Sequence, residues 1–242
     1  MRYLIISDIH SNLPALQTVL FDAPPFDAVW CLGDIVGYGP NPNQCIERLQ
    51  EFPHLCVAGN HDWGAIGRAD LSVFNRDARQ ALLWTQRELQ PENRDIIIGL
   101  PDLVEVENFV LVHGSLREMI WEYLLDVEQA RASFLARDFQ VALVGHTHIP
   151  LIFEWWEPGQ EARLLLPNLE EPLNLEGRRL IINPGSVGQP RDGDPRAAYA
   201  ILNTEAQTLE FRRVTYPVEI TQERMRARGL PQRLIERLEL GR

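Results

Sequence analysis

The segment Tyr3-Leu4-Ile5-Ile6-Ser7-Asp8-Ile9-His10 begins with an apolar run and ends with an Asp-x-His triplet. Four apolar residues that stop at polar residues are typical of a buried β-strand. One residue separates Asp8 from His10, so an extended chain would project both side chains to the same side. The segment therefore predicts a strand that carries two candidate metal ligands at its carboxyl end.

The same pattern recurs further along the chain. A short apolar run is followed by polar residues at 29–34, 55–62, 109–114 and 141–148. Helical spacing of apolar residues lies between several of these runs, at 13–20, at 81–89 and around Phe134, and Asn12 is a candidate cap for the first helix. Strands that alternate with helices indicate an α/β fold with parallel pairing.

Beyond His148 the apolar runs continue with little helical spacing between them. They lie at 151–153, 164–166, 180–182, 199–202 and 209–211. We expect these runs to form a meander that makes a second sheet packed on the first. The whole chain, 1–242, is then one domain of the α/β class, a two-sheet β-sandwich flanked by helices. We expect an exposed hairpin or loop at 157–178 and a C-terminal helix at 219–239, interrupted near 229–231.

Composition and charge narrow the range of functions. The chain has 242 residues, of which 45% are apolar and 24% charged, close to ordinary globular usage. Its net charge of −11 argues against a basic face that binds nucleic acid. No stretch resembles a signal peptide or a membrane span, so we expect a cytoplasmic protein that does not enter a membrane. The odd count of three cysteines indicates buried thiols in a reducing compartment.

Histidines are concentrated at the ends of the apolar runs. Five of the six histidines follow such a run: His10, His61, His113, His146 and His148. The carboxyl ends of parallel strands meet at one edge of a sheet, so these side chains are expected to converge. Imidazole and carboxylate together favour Mn, Fe, Zn, Co or Ni over Ca. The sequence therefore predicts a site for divalent transition metals, and the lack of cysteine ligands argues against a closed structural zinc site.

The motifs resemble, in order, those of the calcineurin-like metallophosphoesterase superfamily. They are Asp8-Ile9-His10, Gly33-Asp34, Gly59-Asn60-His61-Asp62, His113-Gly114 and Gly145-His146-Thr147-His148. The sequence Asn-Pro-Gly-Ser-Val at 183–187 also resembles a loop in the small bacterial phosphodiesterase branch of that superfamily. The resemblance implies a four-layer αββα fold and two divalent metal ions, with Mn favoured and Fe, Zn, Ni and Co as alternatives.

The resemblance also implies a role for each residue of these motifs. One metal would be held by Asp8, His10, Asp34 and His148. The other would be held by Asp34, Asn60, His113 and His146, with Asp34 as the bridge. A hydroxide held between the two metals would attack phosphorus, and His61 would face the substrate and stabilise or protonate the leaving oxygen.

One motif departs from the pattern of the protein Ser/Thr phosphatases in the superfamily. Those enzymes carry Gly-Asp-x-x-Asp-Arg-Gly, whereas residues 33–39 here read Gly-Asp-Ile-Val-Gly-Tyr-Gly. Without the second Asp and the Arg, the sequence favours a phosphodiesterase that acts on a small or nucleotide-like substrate. The usual acidic partner of the catalytic histidine is also missing, and Asp62 is a candidate for that role by adjacency only.

Three other functions stay open: a nuclease, a phosphomonoesterase and a non-catalytic scaffold on the same fold. The acidic charge disfavours the nuclease, and a scaffold should have lost ligands that this chain retains. Three further residues are candidate substrate contacts. Asn12 is equally well explained as a helix cap, Tyr38 would line the pocket beside Asp34, and Arg191 is otherwise an exposed charge. The sequence does not define the oligomeric state.

Overall fold

The computed structural model describes residues 1–157, 159 and 161–242 of the chain. Its strands are β1 (Arg2–Ile6), β2 (Ala28–Cys31), β3 (His54–Cys56), β4 (Leu103–Val106), β5 (Phe109–Val112), β6 (Val141–Leu143), β7 (Leu151–Trp156), β8 (Glu161–Leu165), β9 (Leu173–Asn174), β10 (Leu180–Asn183), β11 (Ala197–Asn203) and β12 (Thr208–Val214). Its α-helices are α1 (Leu13–Asp22), α2 (Pro42–Gln50), α3 (Asn60–Ile66), α4 (Arg76–Glu88), α5 (Pro91–Ile98), α6 (Val127–Ala136), α7 (Val218–Ala227) and α8 (Gln232–Leu240). A short 3₁₀ helix spans Leu71–Val73.

The strands form two six-stranded sheets. The first sheet has the order β3-β2-β1-β11-β12-β9, and the second has the order β4-β5-β6-β10-β7-β8. The strands β1, β2 and β3 run parallel, and so do β5, β6 and β10. The carboxyl ends of both parallel groups face the same edge of the sandwich, and the candidate site lies there.

Alternating side chains hold the layers together. Along β1, Leu4 and Ile6 pack in a core with α1 and α2, whereas Tyr3 and Ile5 pack against the second sheet. A third core, which includes Phe134, packs α6 on the outer face of the second sheet. These cores confirm the two-sheet β-sandwich flanked by helices.

The expected meander is wrong, because the two halves of the chain interleave. The second-half strands β11, β12 and β9 extend the first sheet, and β10 inserts between β6 and β7 in the second. A segment at 184–196, here called the crossing segment, carries the chain from β10 in one sheet to β11 in the other. Short apolar runs predict strands but not their neighbours, because pairing over long sequence separations leaves no local pattern.

Several peripheral elements complete the structure. In the segment 157–178, β8 pairs with β7 and β9 pairs with β12, while Pro158 and Gln160 lie outside the described residues. The C-terminal segment contains α7 and α8 on either side of 228–231, and α8 packs beside Tyr38.

The three cysteines are free and buried, as expected. Within the described parts of the chain, no helix has the length and apolar character needed to cross a membrane.

Candidate metal centre

The loops that follow the strands have an unusual backbone conformation. Five of the seven candidate ligands have a positive φ: Asp8 (53°), His10 (47°), Asp34 (54°), His146 (66°) and His148 (61°). A left-handed conformation costs a non-glycine residue roughly 1–2 kcal/mol. Such strain is concentrated at functional sites, where the surrounding structure enforces it. Here the sharp turns bring side chains from several strand ends to one point.

One group of ligand atoms comes from both sheets. Asp8, His10, Asp34 and His148 each offer an atom within 4.8 Å of the others, and all four side chains are buried. Nε2 of His148 lies 3.3 Å from Oδ1 of Asp8, and Nε2 of His10 lies 3.5 Å from Oδ2 of Asp34. This group contains the four residues expected to hold the first metal.

A second group adjoins the first and shares Asp34. It consists of Asp34, His113 and His146, whose ligand atoms also lie within 4.8 Å of one another. Nε2 of His113 lies 3.4 Å from Oδ2 of Asp34, 3.2 Å from Oδ1 of Asn60 and 3.1 Å from Nδ1 of His146. The same Asp34 oxygen therefore faces both groups, as a bridging carboxylate would.

Backbone carbonyls orient the four histidines of the two groups. Nδ1 of His10, His113 and His148 lies 3.2, 2.7 and 2.6 Å from the carbonyl oxygens of Val36, Leu32 and Gln189. For His146, Nε2 lies 3.1 Å from the carbonyl oxygen of Trp121. A ring that donates one N–H to a carbonyl presents its other nitrogen toward the group, which is how metal-binding histidines are usually held.

The atoms that face inward suit a cation. Burial lowers the pKa of His10 and of His148 well below the ordinary value, so both rings are neutral. Their Nε2 atoms then face each other as acceptors, 3.1 Å apart. Oδ1 of Asp8 and Oδ2 of Asp34 are buried without a hydrogen-bond partner. Buried acceptors without donors are costly, and a cation among them would satisfy all four.

The rest of each carboxylate is held by the protein. Oδ2 of Asp8 accepts hydrogen bonds from the Ser7 hydroxyl (2.7 Å) and from the backbone N–H of His146 (3.1 Å). Oδ1 of Asp34 accepts one from the backbone N–H of His61 (2.8 Å). Each carboxylate thus keeps one oxygen for a metal and uses the other to fix its own orientation.

His61 lies beside the two groups and is held by packing. Its ring contacts those of Tyr38, His10 and Phe74 at centroid distances of 4.2, 4.8 and 5.1 Å. Its Nδ1 is buried without a hydrogen-bond partner. The ring also lies close to Gly37, where an added Cβ would come within 2.6 Å of Nδ1. Gly37 is the position at which the protein phosphatases carry the second Asp.

Asp62 does not orient His61. Its two carboxylate oxygens accept hydrogen bonds from the backbone N–H groups of Val36 (3.1 Å) and Gly59 (2.9 Å). Asp62 therefore ties the loop after β2 to the start of α3. Adjacency in sequence was a poor guide, because consecutive helical residues point to different sides.

The crossing segment contributes contacts that the ligand motifs did not reveal. Its Ser186 hydroxyl donates to the carbonyl of Asp8 (2.8 Å), and its Gln189 carbonyl is the one that faces Nδ1 of His148. Asn183, at the end of β10, donates to the carbonyl of Gly145 (2.6 Å). These bonds connect the ligand loops of the two sheets. The resemblance of 183–187 to a family loop was the sequence signal for Asn183 and Ser186, whereas Gln189 had none.

The three candidate substrate contacts have different surroundings. Asn12 caps α1 by accepting from the N–H of Ala15 (3.3 Å), and its amide donates to the carbonyl of Gly188 (2.8 Å). These contacts favour the structural role of Asn12. Tyr38 lies against His10 and His61, and its hydroxyl is 3.4 Å from a guanidinium nitrogen of Arg191. Both Tyr38 and Arg191 line a cavity next to the histidines.

Comparisons with known proteins agree with this geometry. Residues 1–207 match the model of the calcineurin-like phosphoesterase superfamily domain. The crystal structure of a metallophosphoesterase from Sphaerobacter thermophilus superposes with a TM-score of 0.92. It is 46% identical in sequence, and the alignment covers 100% of this chain and 99% of that one.

Two curated relatives are also similar over most of their length. An uncharacterized protein of Methanocaldococcus jannaschii is 40% identical over 246 residues, which cover 98% of this chain and 97% of the relative. Phosphodiesterase YfcE of Escherichia coli is 26% identical over 221 residues, which cover 86% of this chain and 91% of the relative.

Proposed function

This chain belongs to the calcineurin-like phosphoesterase superfamily, a family of phosphoric ester hydrolases, and on that premise we propose that it is a single-domain phosphodiesterase with two divalent transition-metal ions. Asp8, His10, Asp34 and His148 would hold one ion. Asp34, Asn60, His113 and His146 would hold the other. We propose Mn as the native metal, with Fe, Zn, Ni and Co as alternatives that the same ligands accept.

The position of Asp34 is the observation that carries the proposal. Its Oδ2 atom is buried, has no hydrogen-bond partner and lies 3.5 Å from Nε2 of His10 and 3.4 Å from Nε2 of His113. A carboxylate oxygen between two sets of imidazole nitrogens suits a bridge between two cations. A single metal would leave one of the two groups of candidate ligands without a cation.

The residues of the centre define what the site can do. Two divalent ions would supply positive charge to the phosphoryl oxygens and lower the pKa of a water molecule from about 15.7 to roughly 7. The chain itself supplies two carboxylates and neutral donors, so a net positive charge is left for an anionic phosphoester. Burial of the ligands limits the access of bulk water, which strengthens these electrostatic interactions.

His61 is the residue that we assign to the leaving group. Burial lowers its pKa to about 4, against the opposing effect of the Asp34 carboxylate, so the ring is neutral near pH 7. A neutral imidazole still carries one N–H. We propose that this N–H donates a hydrogen bond that stabilises the negative charge developing on the leaving oxygen, and that the oxygen takes its proton from solvent.

The preference for diesters rests on the surroundings of Gly37 and Tyr38. Gly37 leaves no room for the acidic side chain of the protein phosphatases, because the ring of His61 occupies that space. The similarity to phosphodiesterase YfcE of Escherichia coli also supports this preference. We propose a small or nucleotide-like phosphodiester as the substrate class.

The bridge can be tested with Asp34→Asn, which keeps the shape of the side chain and removes its charge. We expect loss of at least one metal and a fall in kcat of at least about 100-fold, equivalent to about 3 kcal/mol in the barrier. Metal content by mass spectrometry and kinetics with bis(p-nitrophenyl) phosphate should be measured on the same samples. Asp95→Asn, at an exposed position of α5, is the matched control and should retain both properties. Two metals bound at wild-type affinity in Asp34→Asn would contradict the bridge.

The alternative activities give different results in the same assays. A phosphomonoesterase would prefer p-nitrophenyl phosphate to the diester, and a nuclease would degrade single- or double-stranded DNA or RNA. A scaffold would bind less than one equivalent of metal tightly. We expect metal-dependent hydrolysis of the diester at a higher kcat/KM than the monoester, and no degradation of nucleic acid at comparable rates.

A further inference from the structure

A cavity of about 780 Å³ adjoins the metal centre. We call it the arginine cavity because five arginines line it: Arg76, Arg191, Arg233, Arg237 and Arg242. Its walls come from Tyr38, from Tyr123, from the N-terminal turn of α4 and from α8. Its volume is in the range of pockets that bind small molecules, about 300–1,000 Å³.

Two tyrosines form the boundary between the cavity and the centre. The Tyr38 ring lies 4.6 Å from the His10 ring and 4.2 Å from the His61 ring, measured between centroids. The Tyr123 ring stacks on His146 at 3.8 Å, with an angle of 18° between the planes. Since both tyrosines also line the cavity, a ligand there would lie one aromatic ring away from the metal ligands.

The arginines of this cavity lack Asp and Glu partners. Among the residues that the structure describes, none of the five is within 4 Å of an Asp or Glu carboxylate, although Asp77 and Glu236 line the same cavity. Arg191 donates to Oε1 of Gln189 at 3.1 Å, and Nε of Arg237 donates to the main-chain oxygen of Arg242. The guanidinium groups of the other three arginines have no hydrogen-bond or ionic partner among the described residues. Nε of Arg191 is buried without a hydrogen-bond partner. Burial and the nearby guanidinium of Arg191 lower the pKa of Arg237 to about 10. The cavity therefore concentrates positive charge in a chain whose net charge is −11.

A second cavity, of about 710 Å³, provides a comparison. It is also lined by arginines, but each is satisfied by the protein. Arg178 pairs with Glu154 at 2.6 Å, and Arg179 donates to the carbonyl oxygens of Phe134 and Arg137 at 2.7 and 2.8 Å. The arginine cavity differs because three of its guanidinium groups, those of Arg76, Arg233 and Arg242, have no partner among the described residues.

We propose that the arginine cavity binds a second phosphate group of the substrate while the metal centre holds the phosphodiester that is cleaved. The substrate class is then a nucleotide-like phosphodiester that carries at least one additional phosphate. Guanidinium groups recognise phosphate through charge and paired N–H donors, and unpaired ones keep these donors free. This inference rests on the phosphodiesterase function proposed above.

Two substrates that differ in one phosphate test the proposal. They are the p-nitrophenyl ester of thymidine 5′-phosphate and the same ester with an added 3′-phosphate. Both have the same diester and the same leaving group. For the wild type we expect the 3′-phosphate to lower KM at least about tenfold. Equal KM values for the two substrates would overturn the proposal.

Substitutions on α8 assign the effect to the cavity. In Arg233→Ala and in Arg233→Ala/Arg237→Ala we expect the KM advantage of the 3′-phosphate to fall to less than about threefold, while Arg233→Lys retains most of it. Arg228→Ala is the matched control, because Arg228 follows α7, pairs with Glu88 and does not line the cavity. An unchanged advantage in the double variant, with an unchanged circular dichroism spectrum, would exclude the cavity as the phosphate site.

A binding measurement separates this proposal from the proposed function. Calorimetry with thymidine 3′,5′-bisphosphate and thymidine 5′-phosphate requires no turnover. If neither ester is hydrolysed, the phosphodiesterase function fails. The cavity proposal then still stands if the bisphosphate binds at least about tenfold more tightly in the wild type and loses this advantage in Arg233→Ala. Equal affinities for the two nucleotides would overturn it.

Discussion

At the scale of single residues, the candidate ligands combine a chemical requirement with a backbone requirement. Asp8, His10, Asp34, His146 and His148 present a metal-binding atom from a left-handed backbone. Glycine would fit that backbone but has no ligand atom, and a β-branched residue would fit neither requirement. Substitution at these positions is therefore expected to affect both the local conformation and metal binding.

The role of His61 leads to a prediction about leaving groups. His61→Ala removes the ring that we assign to the leaving oxygen, while the backbone N–H that holds Asp34 is kept. We expect both metals to stay bound and the hydrolysis of a nitrophenyl diester to slow only moderately, because nitrophenoxide is a good leaving group that needs little stabilisation by a hydrogen bond. A cyclic nucleotide or another alkyl diester should lose roughly 100-fold or more, if it is a substrate. Equal losses for good and poor leaving groups would show that His61 does not stabilise the leaving oxygen.

The protonation of His113 leads to a prediction about pH. Burial lowers the pKa of His113, but the neighbouring Asp34 carboxylate outweighs this effect and brings the pKa to about 9. A metal at Nε2 must therefore displace a proton at neutral pH. We expect metal affinity to rise about tenfold per pH unit from pH 7 and to level off near pH 9. Calorimetry in two buffers of different ionisation enthalpy should detect about one proton released, and an affinity independent of pH would contradict this assignment.

The sequence predicted the candidate ligands of the site better than the groups that orient those ligands. The ligands could be recognised because each follows an apolar run in a short motif. The carbonyls of Val36, Trp121 and Gln189 orient histidines. They could not be recognised from the sequence, because any residue type supplies a carbonyl. The sequence also suggested Asp62 as the partner of His61, because the two residues are adjacent. In the structure Asp62 binds the backbone instead, and His61 packs against Tyr38.

At the scale of secondary structure elements, local patterns predicted strands and helices but not their arrangement. The runs that became β1, β5 and β10 were recognised from apolar residues alone. The strands β4 and β9 were missed, because they are short and only partly buried. The interleaving of the two halves also escaped prediction, since β11 finds its place beside β1 through contacts almost 200 residues apart.

The loop after β2 allows a test with a matched control. Gly37 and Gly193 both have a left-handed φ, of 93° and 87°, but an added Cβ would meet His61 at Gly37 and nothing within 4 Å at Gly193. Replacement by alanine should cost each variant roughly 1–2 kcal/mol of stability through the backbone. Only Gly37→Ala should also lose activity, by about tenfold or more, because the His61 ring must move. Equal activities in the two variants would show that the contact with Gly37 does not position His61.

At the scale of the whole molecule, the candidate metal centre brings together residues of the two sheets. Asp8, His10 and Asp34 follow strands of the first sheet, and His113, His146 and His148 follow strands of the second. An ion bound by residues of both sheets would therefore link the two sheets at the interface of the sandwich. Its binding energy adds to the stability of the folded state, because the unfolded chain does not assemble the site.

This link predicts a large effect of chelation on thermal stability. A site at 1,000 times its Kd adds about 4 kcal/mol, and a change of 1 kcal/mol shifts Tm by about 2–4 °C for a chain of this size. We expect a chelator to lower Tm by roughly 10 °C and Mn to restore it, as measured by calorimetry. Asp34→Asn should show a smaller difference between the two conditions. The same Tm with and without chelator would mean that metal does not connect the sheets.

The crossing segment has a consequence for the timing of biosynthesis. A ribosome has made all seven candidate ligands once it reaches His148, but the carbonyl that orients this histidine belongs to Gln189. The strand that flanks β1 follows later still, at Ala197–Asn203. While residues 149–203 are synthesised, the nascent chain therefore carries every candidate ligand without the frame that sets their spacing. Capture of the metals is expected to follow synthesis of Gln189 and of Ala197–Asn203, and ribosome-bound chains arrested before residue 180 should hold less metal than those arrested after both segments have emerged.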